Sequence, residues 1–171
     1  MEVNHTVVFF GSARIKPDDN RFNTARYYGI ARELARELAL FSRELKESTG
    51  ENFYICTGGG PGIMEAANRG AQDAGEKTIG LNISLPFEQH PNPYISDGLN
   101  MEFHYFFMRK LWLLYHAKAI IVFPGGFGTF DELFETLTLI QTKKMEKPGI
   151  TVMMYDSSYW NSLINFQKLV D

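Results

Sequence analysis

Five short, nearly continuous apolar runs punctuate the chain: Thr6 to Phe10, Phe53 to Thr57, Thr78 to Ile83, Ala119 to Phe123 and Ile150 to Tyr155. Unbroken rather than alternating apolar runs suit strands buried on both faces, as in a parallel sheet. A sixth strand is expected near Leu99 to Phe103. Between the first two runs, Tyr27, Ile30, Leu34, Leu38, Phe41 and Leu45 step by three and four, while Arg32, Glu33, Arg36, Glu37, Arg43 and Glu44 fall elsewhere. That spacing predicts an amphipathic helix whose apolar stripe lies on a sheet. Further helices are expected at about 61–75, 104–117, 129–143 and 158–170, completing a repeated strand and helix alternation. The expected fold is α/β: a single Rossmann-like domain with a doubly wound, mostly parallel sheet and helices on both faces.

Composition narrows the partners. The 171 residues, 44% of them apolar, suit one domain with one sizeable core, and no composition shift or repeat marks a second. A formal net charge of -3 supplies no general field for nucleic acid or an anionic membrane. A single-strand DNA-binding relative of this fold would be expected to carry a basic groove with aromatic stacking, which the acidic balance disfavours. Any phosphate-bearing partner must therefore be held by a local site, and a small ligand is expected. Cys56 is the only cysteine, which excludes an internal disulfide and a thiolate metal cluster; burial as filler is its expected role. The first residues, "MEVNHTVVFFGS", carry no basic segment and too short an apolar stretch for a signal peptide or membrane span, so a cytoplasmic, soluble protein is expected. No metal is expected: His104 and His116 would stand about 18 Å apart on one helix, and His5 and His90 have no partner at ligand spacing.

Two joints between a strand and a helix are rich in glycine, "CTGGGPGIMEAANRG" and "PGGFGTFDE". Glycine lets a phosphate approach backbone N–H groups, and a helix N-terminus adds unpaired donors. Neither joint matches the P-loop or dinucleotide fingerprints, so an ATPase or a dinucleotide dehydrogenase is not expected. Tight turns also require glycine for structural reasons, but two such joints at neighbouring strand ends favour an anion site. A long loop, Ser84 to Gly98, holds Pro86, Pro91 and Pro93 and is a further functional candidate.

Thr129 to Glu132 spells a capping box, which would account for both residues structurally. A carboxylate at that helix start would also be favoured in its ionised form, fitting it for a base or an electrostatic role. Arg109 and Lys110 lie within "FHYFFMRKLWLLYHA", so apolar that the guanidinium must either snorkel to water or meet a carboxylate or phosphate. The same aromatic helix is a candidate subunit interface.

The ordered set "GGGPGIMEAAN", "LPFEQHPNPY", "FMRK" and "PGGFGTFDE" resembles the LOG, or "lonely guy", family of phosphoribohydrolases, whose members were often labelled possible lysine decarboxylases. The resemblance runs from about Val7 to Tyr155; Phe106 stands where the first catalytic motif usually has its Met. It implies a Rossmann-like homodimer or higher assembly that cleaves the N-glycosidic bond of nucleoside 5′-monophosphates, on AMP-like or cytokinin nucleotides, without a cofactor. It implies Arg109 and Glu132 as the catalytic pair. Ser12, Gly58, Gly59, Gly60, Glu88, Lys110, Gly125, Gly126, Gly128, Thr129 and Thr138 become the substrate-binding candidates. Family members usually continue beyond "FQKLVD" with further helical residues, so a C-terminal helical extension is implied that this sequence does not include. No lysine stands in a recognisable pyridoxal-phosphate context. The alternative is a non-catalytic nucleotide or cofactor carrier on the same fold, which would keep the glycine joints without needing the Arg109 and Glu132 pair.

Overall fold

The computed structural model describes residues 3–18, 24–85, 90–145 and 149–170. The elements run β1 (Thr6–Phe10), α1 (Ala25–Thr49), β2 (Tyr54–Thr57), α2 (Ile63–Asp73), β3 (Thr78–Ile83), β4 (Asn100–Phe103), α3 (Phe106–Tyr115), β5 (Ala117–Val122), α4 (Phe127–Gln141), β6 (Thr151–Met154), α5 (Ser157–Leu163) and α6 (Phe166–Val170). The six strands form one sheet in the order β4-β3-β2-β1-β5-β6, and every neighbouring pair is parallel. The chain thus builds outward from β1 in one direction, then returns to add β5 and β6 on its other side.

Alternate residues of each inner strand feed opposite cores. Val7 and Phe9 pack with Ile55, Ile121 and Phe123 under α1 and α2. Val8 and Phe10 join Cys56, Ile79, Ile120 and Val122 with Leu113, Leu133 and Trp160 from α3, α4 and α5. Cys56 is buried filler, and burial pushes its thiol up to about 12, far from reactivity. Among the described residues no helix is long and apolar enough to cross a membrane.

The structure corrects three expectations. Of the expected stripe on α1, Tyr27 is buried, but beyond it the buried face is lined by Tyr28, Ala31, Ala35, Ala39 and Ser42 rather than by the larger aliphatic residues, and Phe41 is 54% exposed. Small residues win because α2 comes so close: a Cβ on Gly70 would lie 2.0 Å from the Arg32 carbonyl oxygen. Ile30, Leu34 and Leu38 flank this seam, partly buried. The last helix is two helices, because Ile164 is extended and the Asn165 side chain accepts from the Lys168 amide at 3.1 Å to start α6. Finally, the two glycine-rich strand ends are not neighbours. β1 lies between β2 and β5.

Candidate active site

In an open parallel sheet, the loops leaving two adjacent strands in opposite directions part above their carboxyl ends and leave a crevice. Here that point falls between β1 and β5. The two loops are tied at their base: the Ser12 amide donates to the Pro124 carbonyl at 3.2 Å, and the Ile63 amide, at the start of α2, donates to the Ser12 carbonyl at 3.0 Å. The crevice opens into a cleft of about 630 Å³ lined by Gly11 to Arg14, Met64, Ile83, Leu85, Phe106, Arg109, Gly126 to Thr129 and Glu132.

One wall is the N-terminus of α4. The helix begins at Phe127, with Gly126 as its cap and no side-chain capping bond; the first intrahelical bond is Phe130 N–H to Gly126 O, 3.0 Å. The amides of Phe127, Gly128 and Thr129 therefore precede the helical ladder and lie at the cleft. A Cβ on Gly126 or Gly128 would meet nothing within 4 Å, so these two glycines keep open space rather than relieve a clash. Gly125 differs: a Cβ there would lie 2.1 Å from Thr129 Oγ1 and 3.0 Å from the Ser12 amide nitrogen. Because the helix starts two residues earlier than expected, Thr129 is in its first turn and not its cap, and the capping box is not formed.

The other wall carries Arg109 and Glu132. Arg109 Nη2 donates to Glu132 Oε1 at 3.1 Å, with side-chain exposures of only 10% and 14%. The guanidinium carbon lies 5.6 Å from the centroid of the Phe106 ring, and its buried Nε–H has no protein partner among the described residues. Snorkelling is thereby ruled out for Arg109. Burial pushes the Glu132 carboxyl up to about 7, against the lowering pull of Arg109. The expectation of a carboxyl biased toward ionisation by the helix dipole is corrected: desolvation outweighs it.

The "CTGGGPG" joint serves a different purpose from the one expected. Gly58, Gly59 and Gly60 are buried and do not line the cleft. A Cβ on Gly58 would lie 2.9 Å from Met64 Sδ and 3.1 Å from Arg109 Nη1, so this glycine makes room for the arginine. The Gly59 amide donates to Thr57 Oγ1, and Asn92, from the long loop, donates through its side chain to the Gly59 and Gly60 carbonyls. Bonded inward in this way, the joint is a packed turn that anchors the loop.

The remaining candidates divide. Ser12 lines the cleft. Lys110 faces away, its ammonium bonded to Asp131 at 3.1 Å and paired with Glu135. Burial acts to lower its pKa, but Glu135 and Asp131 outweigh that and hold it above the usual lysine value. Thr138 is exposed, does not line the cleft, and bonds back to the Phe134 carbonyl at 2.7 Å. Glu88 lies outside the described residues. Arg14 and Phe127, the latter 97% exposed, line the cleft and were not read from the sequence. The available signal for Arg14 was the small triplet Gly11-Ser12-Ala13 directly after the first apolar run. Among the described residues no group of three His, Cys, Asp or Glu side chains is placed to hold a metal, and no lysine lines the cleft.

These features define a parallel α/β domain with a helix start open to a cleft and a buried arginine–carboxylate pair at its topological switch point. Residues 64–171, more than half of the chain, match the family model described as possible lysine decarboxylase, and the chain belongs to this family, the LOG family. Among its relatives, the Arabidopsis thaliana cytokinin riboside 5′-monophosphate phosphoribohydrolase LOG4 is 27% identical over 97% of this chain and 73% of its own length. LOG1 from the same plant, with the same activity in its name, is 28% identical over 84% of this chain and 62% of its own. Among solved structures, the structural-genomics target TM1055 is 27% identical, with a TM-score of 0.59 over 79% of this chain and 69% of that one. The molybdenum cofactor binding protein of Rippkaea orientalis superposes with a TM-score of 0.64 over 99% of this chain and 85% of its own, but at 20% identity that likeness concerns the fold alone.

Proposed function

We propose that this protein hydrolyses the N-glycosidic bond of nucleoside 5′-monophosphates, of the AMP or cytokinin-nucleotide kind, to free base and ribose 5-phosphate. The observation that carries the reading is the Arg109–Glu132 pair at 3.1 Å, in the same cleft as the unpaired amides that begin α4. The 5′-phosphate is held by the amides of Phe127, Gly128 and Thr129, with Ser12 beside them. As the bond to the base breaks, positive charge develops on the ribose; Glu132 in its ionised form stabilises that charge and takes a proton from the water whose oxygen bonds to the ribose, and that proton passes on to the departing base, which returns Glu132 to its ionised form. Arg109 holds the carboxylate in place and keeps a buried Nε–H for the substrate. A carboxyl near neutrality is suited to gain and lose that proton at working pH.

A pyridoxal-type decarboxylation is not supported, since among the described residues no lysine lines the cleft and the Lys110 ammonium is held charged by two carboxylates. A non-catalytic carrier would need the anion-binding wall but not a buried carboxyl titrating at about 7. Within this reading two copies meet through α3, whose exposed face carries Phe107, Leu111, Trp112 and Tyr115. The test is incubation with a panel of nucleoside monophosphates, measuring free base and ribose 5-phosphate; release of neither from any of them overturns the proposal.

A further inference from the structure

The charged residues lining the cleft are Arg14, Arg109 and Glu132. Arg109 and Glu132 face each other as an ion pair, so among the described residues an entering phosphate dianion meets neutral backbone amides and one uncommitted cation. Arg14 has no carboxylate partner among the described residues and is exposed. Its backbone is nevertheless held firmly. The Arg14 amide donates to Ser12 Oγ at 3.1 Å, and Ser12 is bonded through its own amide to Pro124 and through its carbonyl to Ile63. Gly62 lets the loop pack still closer: a Cβ there would lie 2.2 Å from the Ser12 carbonyl oxygen and 2.8 Å from the Ala13 carbonyl carbon. The loop that carries Arg14 is thus tied on one side to Pro124, just before the glycine turn where α4 begins, and on the other to the start of α2.

We propose that Arg14 supplies the cationic contact to the substrate phosphate, its guanidinium taking two phosphate oxygens while the first amides of α4 take the rest. A planar, permanently charged fork matches a phosphate in two places at once, and such charge-assisted bonds are about twice as strong as those from neutral amides. The proposal rests on the nucleotide reading of the cleft and adds the residue that recognises the charge of its ligand.

The experiment is titration calorimetry of the full chain with ribose 5-phosphate and with AMP, at low and high salt, on wild type, Arg14→Ala and Arg14→Lys. Arg14→Ala is expected to weaken both ligands by about tenfold to a hundredfold and to flatten the salt dependence of binding, with an unchanged melting temperature because Arg14 is exposed. Arg14→Lys is expected to recover part of the affinity, since it restores the charge but not the fork. In turnover, KM for AMP rises more than kcat falls. Wild-type affinity and salt dependence in Arg14→Ala, or no binding of either ligand by wild type, overturns the proposal. Ribose 5-phosphate has no glycosidic base to lose. A selective loss of its binding in Arg14→Ala therefore supports the phosphate contact even in a chain that cleaves no nucleotide, the result that would refute the hydrolase reading alone.

Discussion

Arg109 and Glu132 stand 23 residues apart in sequence, on separate helices, yet their side chains meet at 3.1 Å. The pair forms because α3 turns its arginine inward and large apolar residues outward: Arg109 and Leu113, four apart, are buried, while Phe107, Leu111 and Tyr115 are exposed. Gly58 clears the space in which the guanidinium lies.

That contact gives a first prediction, in the pH profile. With the Glu132 carboxyl at about 7 and the ionised form required, kcat/KM should rise as pH increases through about 7, not through the ordinary carboxylate range. Glu132→Gln should remove this limb and lower turnover by at least about a hundredfold. Arg109 lowers the Glu132 pKa, so Arg109→Gln should move the limb upward. A profile flat from about pH 5 to pH 8 in wild type would detach Glu132 from the chemistry.

Stability should carry the same signature. Unfolded, Glu132 titrates near 4.5, and folded near 7, so burial favours the protonated carboxyl. Its contribution to stability is full below the unfolded value and is lost as pH rises through the folded one. Glutamine mimics the protonated form. The melting temperature of Glu132→Gln relative to wild type should therefore increase between about pH 5 and pH 8. A difference that stays constant over that range would mean an unshifted carboxyl.

Adjacent glycines should behave oppositely. Gly125→Ala forces a Cβ to 2.1 Å from Thr129 Oγ1 and should cost about 1 to 3 kcal/mol in chemical denaturation. A Cβ at Gly126 meets nothing within 4 Å, so Gly126→Val should melt like wild type while losing AMP turnover, because the new side chain occupies the space the phosphate needs. Normal turnover in Gly126→Val would leave this turn without a binding role.

All six strands fall at or within two residues of the expected positions; the four inner strands were legible because burial on both faces leaves continuous apolar runs, whereas the edge strands β4 and β6 are largely exposed and carry a weaker pattern. The face of α1 was misread since periodicity identifies large apolar residues, whereas close helix packing selects Ala31, Ala35 and Ala39 opposite Gly70. Glycine content alone did not separate Gly126, which keeps open space at the cleft, from Gly59, whose amide is bonded inward to Thr57. That distinction depends on strand order, which brings β1 rather than β2 beside β5. Arg14 was missed for the same reason. Its loop reaches the cleft only through the switch point.

The exposed face of α3 predicts self-association. Light scattering at micromolar concentration should give at least twice the chain mass, and Leu111→Glu with Trp112→Glu should give a folded monomer. A wild-type monomer would remove α3 from any subunit contact.

The most direct test of the central claim compares AMP with adenosine at equal concentration, following free adenine and, for AMP, ribose 5-phosphate. If the start of α4 and its neighbouring loop recognise the phosphate, losing two or more charged hydrogen bonds at about 1.5 to 3 kcal/mol each slows adenosine by a factor on the order of a hundred to many thousands. Release of adenine and ribose 5-phosphate from AMP, with adenosine essentially untouched, is the predicted result; equal cleavage of the two, or cleavage of neither, would contradict it.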